Sequence, residues 1–179
     1  MAAKPTTGGA GAQMGEEPID AGGRPGGLFL ALDHVGVAVA DLDAAIAFHT
    51  EVLGLVLVHR EDNLDAEVSE AMLAVPGGAA GTQIQLLAPL TPRSPIARFL
   101  DRSGPGLQQL AYRVADVAEV AQLLRERGLR LIYDAPRPGT RGSSINFIHP
   151  RDTGGVLIEL VEATSTPQVA GEDSTHEFS

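Results

Sequence analysis

Four side chains able to hold a metal ion stand at matched places in a text that this chain carries twice. Leu32-Asp33-His34-Val35-Gly36-Val37-Ala38-Val39-Ala40-Asp41 returns as Leu107-Gln108-Gln109-Leu110-Ala111-Tyr112-Arg113-Val114-Ala115-Asp116, 75 positions later. The ends of the copies also match: residues 82–87 lie over 156–161 at an offset of 74, with Gln85 on Glu159. Two copies of one unit commonly pack about a pseudo-twofold axis, which turns equivalent residues toward each other. The pairs so formed are His34 with Gln109, and Gln85 with Glu159. One imidazole, one carboxylate and two amide oxygens make an oxygen-rich set without sulfur. Such a set suits Co²⁺ or Mn²⁺, and also Mg²⁺, better than a structural Zn²⁺. A divalent ion with open positions is suited to Lewis-acid polarisation of a carbonyl.

Each residue also has a plainer reading. A lone His at the start of an apolar strand is commonly structural, but its counterpart Gln109 is polar where a core strand favours Val or Ile. Gln85, between Ile84 and Leu86, fits either a ligand or a solvated position on an alternating strand. Glu159 interrupts Val156-Leu157-Ile158-Glu159-Leu160-Val161, which otherwise reads as a buried strand. A buried lone carboxylate is costly without a cation or hydrogen bonds. A metal would compensate it, and so would an arginine such as Arg113.

The elements that position these residues follow from periodicity. Residues 30–39 alternate as a strand. Asp41 is suited to cap a helix over 42–53, with Leu42, Ala45, Ile46, Val52 and Leu53 on one side and Gly54 as its stop. Strands are expected over 55–58, 69–74 and 82–88, the last two parted by Pro76-Gly77-Gly78. A short helix over 92–100 links the copies. The second copy gives a strand over 110–114, a helix over 117–127 ended by Gly128, and strands over 129–133, 144–148 and 155–161. Residues 136–142 form a loop of strong turn chemistry. The fold class is α+β, two tandem βαβββ modules (about 30–90 and 105–163) in one domain over 28–163. A single module would expose an apolar sheet face, so the two must close a core together. Residues 1–27 and 164–179 read as disordered tails, the second acidic.

Composition narrows the partners. The 179 residues are 44% hydrophobic and carry a net charge of −10, a poor surface for nucleic acid. Cys is absent, so any metal is held by nitrogen or oxygen. No run approaches the roughly 20 apolar residues of a membrane span. No signal peptide is visible at the N-terminus, and the cytoplasm is the expected location.

The residues then resemble a known family. Leu32-Asp33-His34-Val35-Gly36-Val37-Ala38, Ile84-Gln85-Leu86-Leu87-Ala88-Pro89-Leu90 and Gly154-Gly155-Val156-Leu157-Ile158-Glu159-Leu160-Val161 are similar to the vicinal-oxygen-chelate (glyoxalase–bleomycin-resistance) superfamily. Ser94-Pro95-Ile96-Ala97-Arg98-Phe99-Leu100 and Ile145-Asn146-Phe147-Ile148-His149-Pro150 are more particular to its methylmalonyl-CoA epimerase family. The resemblance spans about residues 31–163. It implies a half-barrel fold, an acyl-CoA substrate, a homodimer, and a metal at His34, Gln85, position 109 and Glu159. It also implies Glu70 and Glu159 as the catalytic pair, with Glu70 across the site from Glu159. The family usually carries His where this chain has Gln109, so the resemblance predicts looser metal binding or a preference for harder ions. Asn63-Leu64-Asp65-Ala66-Glu67 also departs from the family's usual text.

The activity implied is interconversion of 2R and 2S methylmalonyl-CoA through a metal-stabilised enolate. One carboxylate takes a proton on one face and the other returns one on the opposite face. Coenzyme A phosphates would meet Arg137 and Arg141, or Arg125, Arg127 and Arg130, and the substrate carboxylate Ser143, Ser144 or Asn146. His49, His59 and His176 read as surface residues and His149 as structural. A glyoxalase-like isomerase and a metal-free small-molecule-binding protein remain the rival readings. A ring-cleaving dioxygenase fits less well, because it needs two His where position 109 is Gln.

Overall fold

The computed structural model describes residues 27–78 and 81–163. The tails expected over 1–27 (all but the last residue) and 164–179 lie outside the described residues. The first module runs β1 (Ala31–Ala38), α1 (Leu42–Ala47), β2 (Val56–Asn63), β3 (Val68–Ala74) and β4 (Gln83–Pro89). A linking helix, α2 (Pro95–Ser103), leads to β5 (Gly106–Arg113), α3 (Val117–Glu126), β6 (Arg137–Pro138), β7 (Ser144–Ile148) and β8 (Leu157–Glu162). The strands form one mixed sheet in the order β2-β3-β4-β1-β5-β8-β7-β6, curled into a half-barrel. β1 pairs parallel with β4, and β5 parallel with β8. β1 and β5 pair antiparallel and join the modules.

The duplication is visible in the helix starts. Asp41 accepts a hydrogen bond from the Ala44 N–H at 3.0 Å, and Asp116 from the Glu119 N–H at 2.8 Å. Each carboxylate satisfies an amide that the helix leaves without a partner. Gly54 and Gly128 follow the helices at φ of 73° and 84°, a region costly for other residues.

Both helices lie on the outer face of the sheet. Leu42 of α1 packs with Ala71, Leu73, Leu86 and Ala88, while Val117, Val120, Ala121 and Leu124 of α3 pack with Ile148 and Leu160. A third cluster joins Ile96 of α2 to Ala38, Val68 and Leu87. The expectation of one core closed between the modules is corrected here: each module buries its own helix, and the sheet and its concave face are what they share. None of the described helices is long and apolar enough to cross a membrane.

Several elements differ from expectation, and the strand expected over 55–58 runs on as β2 to Asn63. The helix expected over 42–53 is α-helical only to Ala47 and continues as a π turn over Phe48–Val52. His49 Nδ1 and the Thr50 hydroxyl bond the carbonyls of Ala45 and Ile46, which loosens the regular ladder. The wider turn swings Val52 and Leu53 off the packed side, and they stand 68% and 55% exposed. The strand expected over 129–133 is reduced to one bridge, Leu131 to Ile148. Asn146 takes over from the ladder there. Its Oδ1 accepts from the Tyr133 N–H at 3.2 Å and its Nδ2 donates to the Tyr133 carbonyl at 3.0 Å. The edge strand instead forms at β6, inside the segment expected as loop, where a proline does no harm to the outermost ladder.

Candidate metal centre and active site

The concave face is polar where the outer face is apolar, because side chains alternate along every strand. His34 sits on β1, Glu70 on β3, Gln85 on β4, Gln109 on β5 and Glu159 on β8, and all five are buried. Gly36 lies opposite both Gln85 and Gln109 on the flanking strands. A Cβ there would come 2.5 Å from Gln109 Cγ, so the missing side chain is the space that Gln109 fills.

The four residues selected from the repeat are joined by hydrogen bonds. His34 Nε2 meets Glu159 Oε2 at 3.2 Å. Gln109 Nε2 donates to the same Glu159 oxygen and, at 3.3 Å, to Gln85 Oε1. Gln85 Nε2 donates to Glu70 Oε2 at 2.8 Å and to the Thr140 hydroxyl at 3.0 Å. Thr140 in turn donates to Glu70 Oε1 at 3.0 Å. On the far side His34 Nδ1 meets Asp33 Oδ1 at 3.0 Å, and Arg113 Nε donates to Asp33 Oδ2 at 2.8 Å. Arg113 is thus the partner of Asp33, and the arginine alternative for compensating Glu159 is set aside. Glu159 is instead satisfied by His34 and Gln109.

The electrostatics divide the site. Burial alone would lower the His34 pKa, but its hydrogen bonds to the Asp33 and Glu159 carboxylates outweigh that and push it up to about 9. The hydrogen bond from His34 holds Asp33 below the usual carboxylate range, helped by Arg113 and opposed by burial. Burial pushes the Glu70 carboxyl up to about 7; the Thr140 hydrogen bond opposes this, and the neighbouring Glu61 adds to it. Glu70 is therefore a carboxyl poised between its two forms near neutral pH.

Among the described residues no three His, Cys, Asp or Glu side chains converge on one point. The cluster reaches four donors only through its two amides. The donor set nevertheless fits a divalent cation. Asp33 holds the Nδ1 side of His34, the outer partner that fixes a ligating imidazole. Glu70 and Thr140 occupy the Gln85 amide nitrogen and leave its oxygen toward the centre. Gln109 presents its nitrogen there, donating to the very oxygens a cation would bind, and must turn its amide by half a rotation to act as a ligand.

A cavity of about 380 Å³ opens beside the cluster, walled by His34 and Glu159 with Arg113, Thr140, Arg141 and Ser143. Of the arginines expected to meet phosphates, Arg125 donates to the Tyr133 and Asp134 carbonyls and Arg130 pairs with Asp152. Arg137 lies over the Tyr133 ring at 4.3 Å. Arg141 is the one on the cavity wall. Asn146, offered as a carboxylate contact, is fully buried and committed to Tyr133 and Phe147. His59, read as a surface residue, is partly exposed and paired with Glu61 at 2.6 Å, while His149 accepts from the Arg151 N–H at 3.1 Å as a structural residue. His176 lies outside the described residues. Thr140, Glu61 and Asp33 were not singled out from sequence. Only Asp33 carried a signal, as the neighbour of His34 in the repeated text.

Comparison with known proteins agrees with this fold. The profile of the Glyoxalase/Bleomycin resistance protein/Dioxygenase superfamily matches residues 33–147. The crystal structure of methylmalonyl-CoA epimerase from Mycobacterium tuberculosis is 58% identical, with a TM-score of 0.72 over 75% of this chain and 89% of that one. The ethylmalonyl-CoA/methylmalonyl-CoA epimerase of Cereibacter sphaeroides is 36% identical over 72% of this chain and 95% of its own length. A variant methylmalonyl-CoA epimerase of Streptomyces coelicolor, solved with 2-nitronate-propionyl-CoA, is 38% identical, with a TM-score of 0.71 over 77% of this chain and 99% of that one.

Proposed function

This chain belongs to the glyoxalase/bleomycin resistance protein/dioxygenase superfamily and, within it, to the methylmalonyl-CoA epimerase family of isomerases, and from that membership we propose that it interconverts the 2R and 2S forms of methylmalonyl-CoA. One observation carries the reading. Glu70 and Glu159 stand at opposite ends of the hydrogen-bonded chain Glu70–Gln85–Gln109–Glu159, so two carboxyls flank one centre from different modules. Inverting a carbon needs a base on one face and an acid on the other.

The residues divide that work by environment. Glu70, raised to about 7, holds a proton that it can deliver near neutral pH and take back in the reverse direction. Glu159 is the opposite partner, kept beside His34 and Gln109. A divalent cation held by His34, Gln85, Gln109 and Glu159, for which Co²⁺ and Mn²⁺ suit best and Mg²⁺ next, supplies Lewis-acid polarisation of the thioester carbonyl when bound. The buried Gln85–Gln109 pair links the two carboxyls. Thr140 orients Glu70 through one hydrogen bond and Gln85 through another. Arg141 on the cavity wall is placed to meet an anionic group of the substrate.

The test is deuterium exchange into each pure epimer of methylmalonyl-CoA in D₂O, followed by NMR, with metal-stripped protein and after adding Co²⁺ or Mn²⁺. Metal-dependent exchange with interconversion, lost in Glu70→Gln and Glu159→Gln, is the expected result. Exchange without interconversion would remove the two-carboxyl reading. No exchange with any metal would remove the substrate.

A further inference from the structure

Each of the two carboxyls assigned to the reaction is followed, two places on, by an apolar side chain. Glu70 is followed by Met72 on β3, and Glu159 by Val161 on β8. Residues two apart on a strand share a face, so each apolar group lies on the side its carboxyl takes. Met72 also stands directly opposite Gln85 in the β3–β4 register. Both are buried, at 5% and 6% exposed. Yet neither belongs to a core. Among the described residues, every other buried apolar side chain of valine size or larger is part of one of the three clusters that pack the helices against the sheet. Met72 and Val161 instead wall the cavity of about 380 Å³, where the other side chains, apart from Ala163, are polar. Apolar groups on a mostly polar wall fit an apolar part of a ligand.

We propose that Met72 and Val161 receive the alkyl branch at C2 of the substrate and limit its length, so that the protein acts on 2-alkylmalonyl thioesters with short branches. The inference rests on the epimerase reading. C2 carries a thioester, a carboxylate, a hydrogen and the branch. The thioester and carboxylate are polar and find partners on the rest of the wall. The branch gains nothing from those groups. It must also change place. With the thioester and carboxylate held, returning the hydrogen on the opposite face carries the branch through the plane of the enolate. One apolar place would favour one epimer, whereas a place beside each carboxyl serves both. The two residues differ in kind. Val161 is β-branched and stiff at χ1, and so a fixed wall. Met72 is unbranched and adapts its shape, so it sets the length of branch that fits. Neither moves a proton, and both act on specificity.

The experiment measures deuterium exchange at C2 by NMR in D₂O, using the full chain loaded with Co²⁺ and racemic methylmalonyl-, ethylmalonyl- and propylmalonyl-CoA as probes. The readout is kcat/KM for propylmalonyl-CoA relative to methylmalonyl-CoA, a ratio that a plain loss of folded protein does not move. Met72→Ala removes Cγ, Sδ and Cε, which makes room for the two further carbons of propyl. The ratio is expected to rise about tenfold or more, the low end of what a misfitting methylene is worth in an apolar pocket, with ethylmalonyl-CoA between the two. Val161→Ala is expected to raise it about fourfold, the worth of one buried methylene. Leu73→Val thins the same strand on its other face, against Leu42, and is expected to leave the ratio within about twofold, as for independent sites. Where Met72→Ala fails to fold, Met72→Val carries the same comparison. A ratio unmoved by Met72→Ala or by Val161→Ala, or moved as far by Leu73→Val, would overturn the proposal and leave the epimerase reading standing. Exchange into none of the three thioesters by the unaltered protein would overturn that reading and the proposal with it.

Discussion

Gly36→Ala probes the centre without removing any of its polar groups. The Gly36 backbone is extended and does not need φ above zero, so alanine is tolerated by the main chain itself. The obstacle is space. The new methyl would lie 2.5 Å from Gln109 Cγ, 3.2 Å from its Cδ and 3.3 Å from Leu87 Cδ1. Ordinary carbon contacts are about 3.5–4.0 Å, so Gln109 must retreat by about 1 Å. Overpacking of this kind costs about 1–3 kcal/mol, and for a domain of this size that lowers Tm by roughly 3–10 °C. The retreat also pulls the Gln109 amide from Glu159 and Gln85, so the stabilisation conferred by Co²⁺ should shrink; a tenfold weaker affinity removes about 1.4 kcal/mol of it. Thermal unfolding with and without Co²⁺ measures both effects. A double-mutant cycle isolates the cause. In a Gln109→Ala background the 2.5 Å contact is gone and only the Leu87 contact at 3.3 Å remains, so Gly36→Ala should cost less than about 1 kcal/mol. If Gly36→Ala costs the same with and without the Gln109 side chain, Gly36 is not there to make room for it.

Co²⁺ affinity should rise about tenfold per pH unit below pH 9 and level off above it, because the imidazole proton held up to about 9 must leave before His34 can bind metal; calorimetric titration between pH 6.5 and 9.5 measures the slope, and a flat profile would refute it. In metal-free protein the same group gives stability that is fully present below its ordinary pKa of 6.5 and is lost as pH rises through about 9, which urea unfolding at both ends of that window measures. Thr140→Val removes the hydrogen bond that lowers the Glu70 pKa, so the Glu70 limb of the kcat/KM profile should move upward from about 7; an unmoved limb would detach Thr140 from Glu70. Gln108 Oε1 is buried without a partner, so Gln108→Met should raise stability by about 1 kcal/mol, read as a higher urea midpoint at unchanged slope.

Much of this architecture is legible in the text because the duplication gives each element two witnesses. The cap Asp41, the stops Gly54 and Gly128, and the inward positions of His34 and Gln109 are legible in this way, and Asp116 caps the second helix as Asp41 caps the first. Where the copies diverge, the reading fails. The stretch after Gly128 is apolar enough for a strand, but Asn146 offers Tyr133 a side-chain substitute for the ladder, and no local pattern announces a bond across 13 residues. The π turn after Ala47 is equally hidden, since Val52 and Leu53 fit the packed side of any regular helix. Thr140 could not be read as a partner of Glu70, because the contact joins a loop of one module to a strand of the other across 70 positions.

The same divergence explains how a near-symmetric cup supports asymmetric chemistry. Gln85 and Glu159 are equivalent in the repeat, yet one is an amide and the other a carboxylate, so only one side of the centre carries charge. The carboxyl that balances it, Glu70, comes from β3 and is placed among groups of a different kind. Glu159 faces an imidazole and an amide N–H. Glu70 faces burial and a second carboxylate, both of which favour its protonated form. Two carboxyls in unlike surroundings across one buried centre suit an inversion at carbon, which needs a base on one face and an acid on the other. The duplication thus builds the cavity, and the acid–base difference arises where the copies stopped matching.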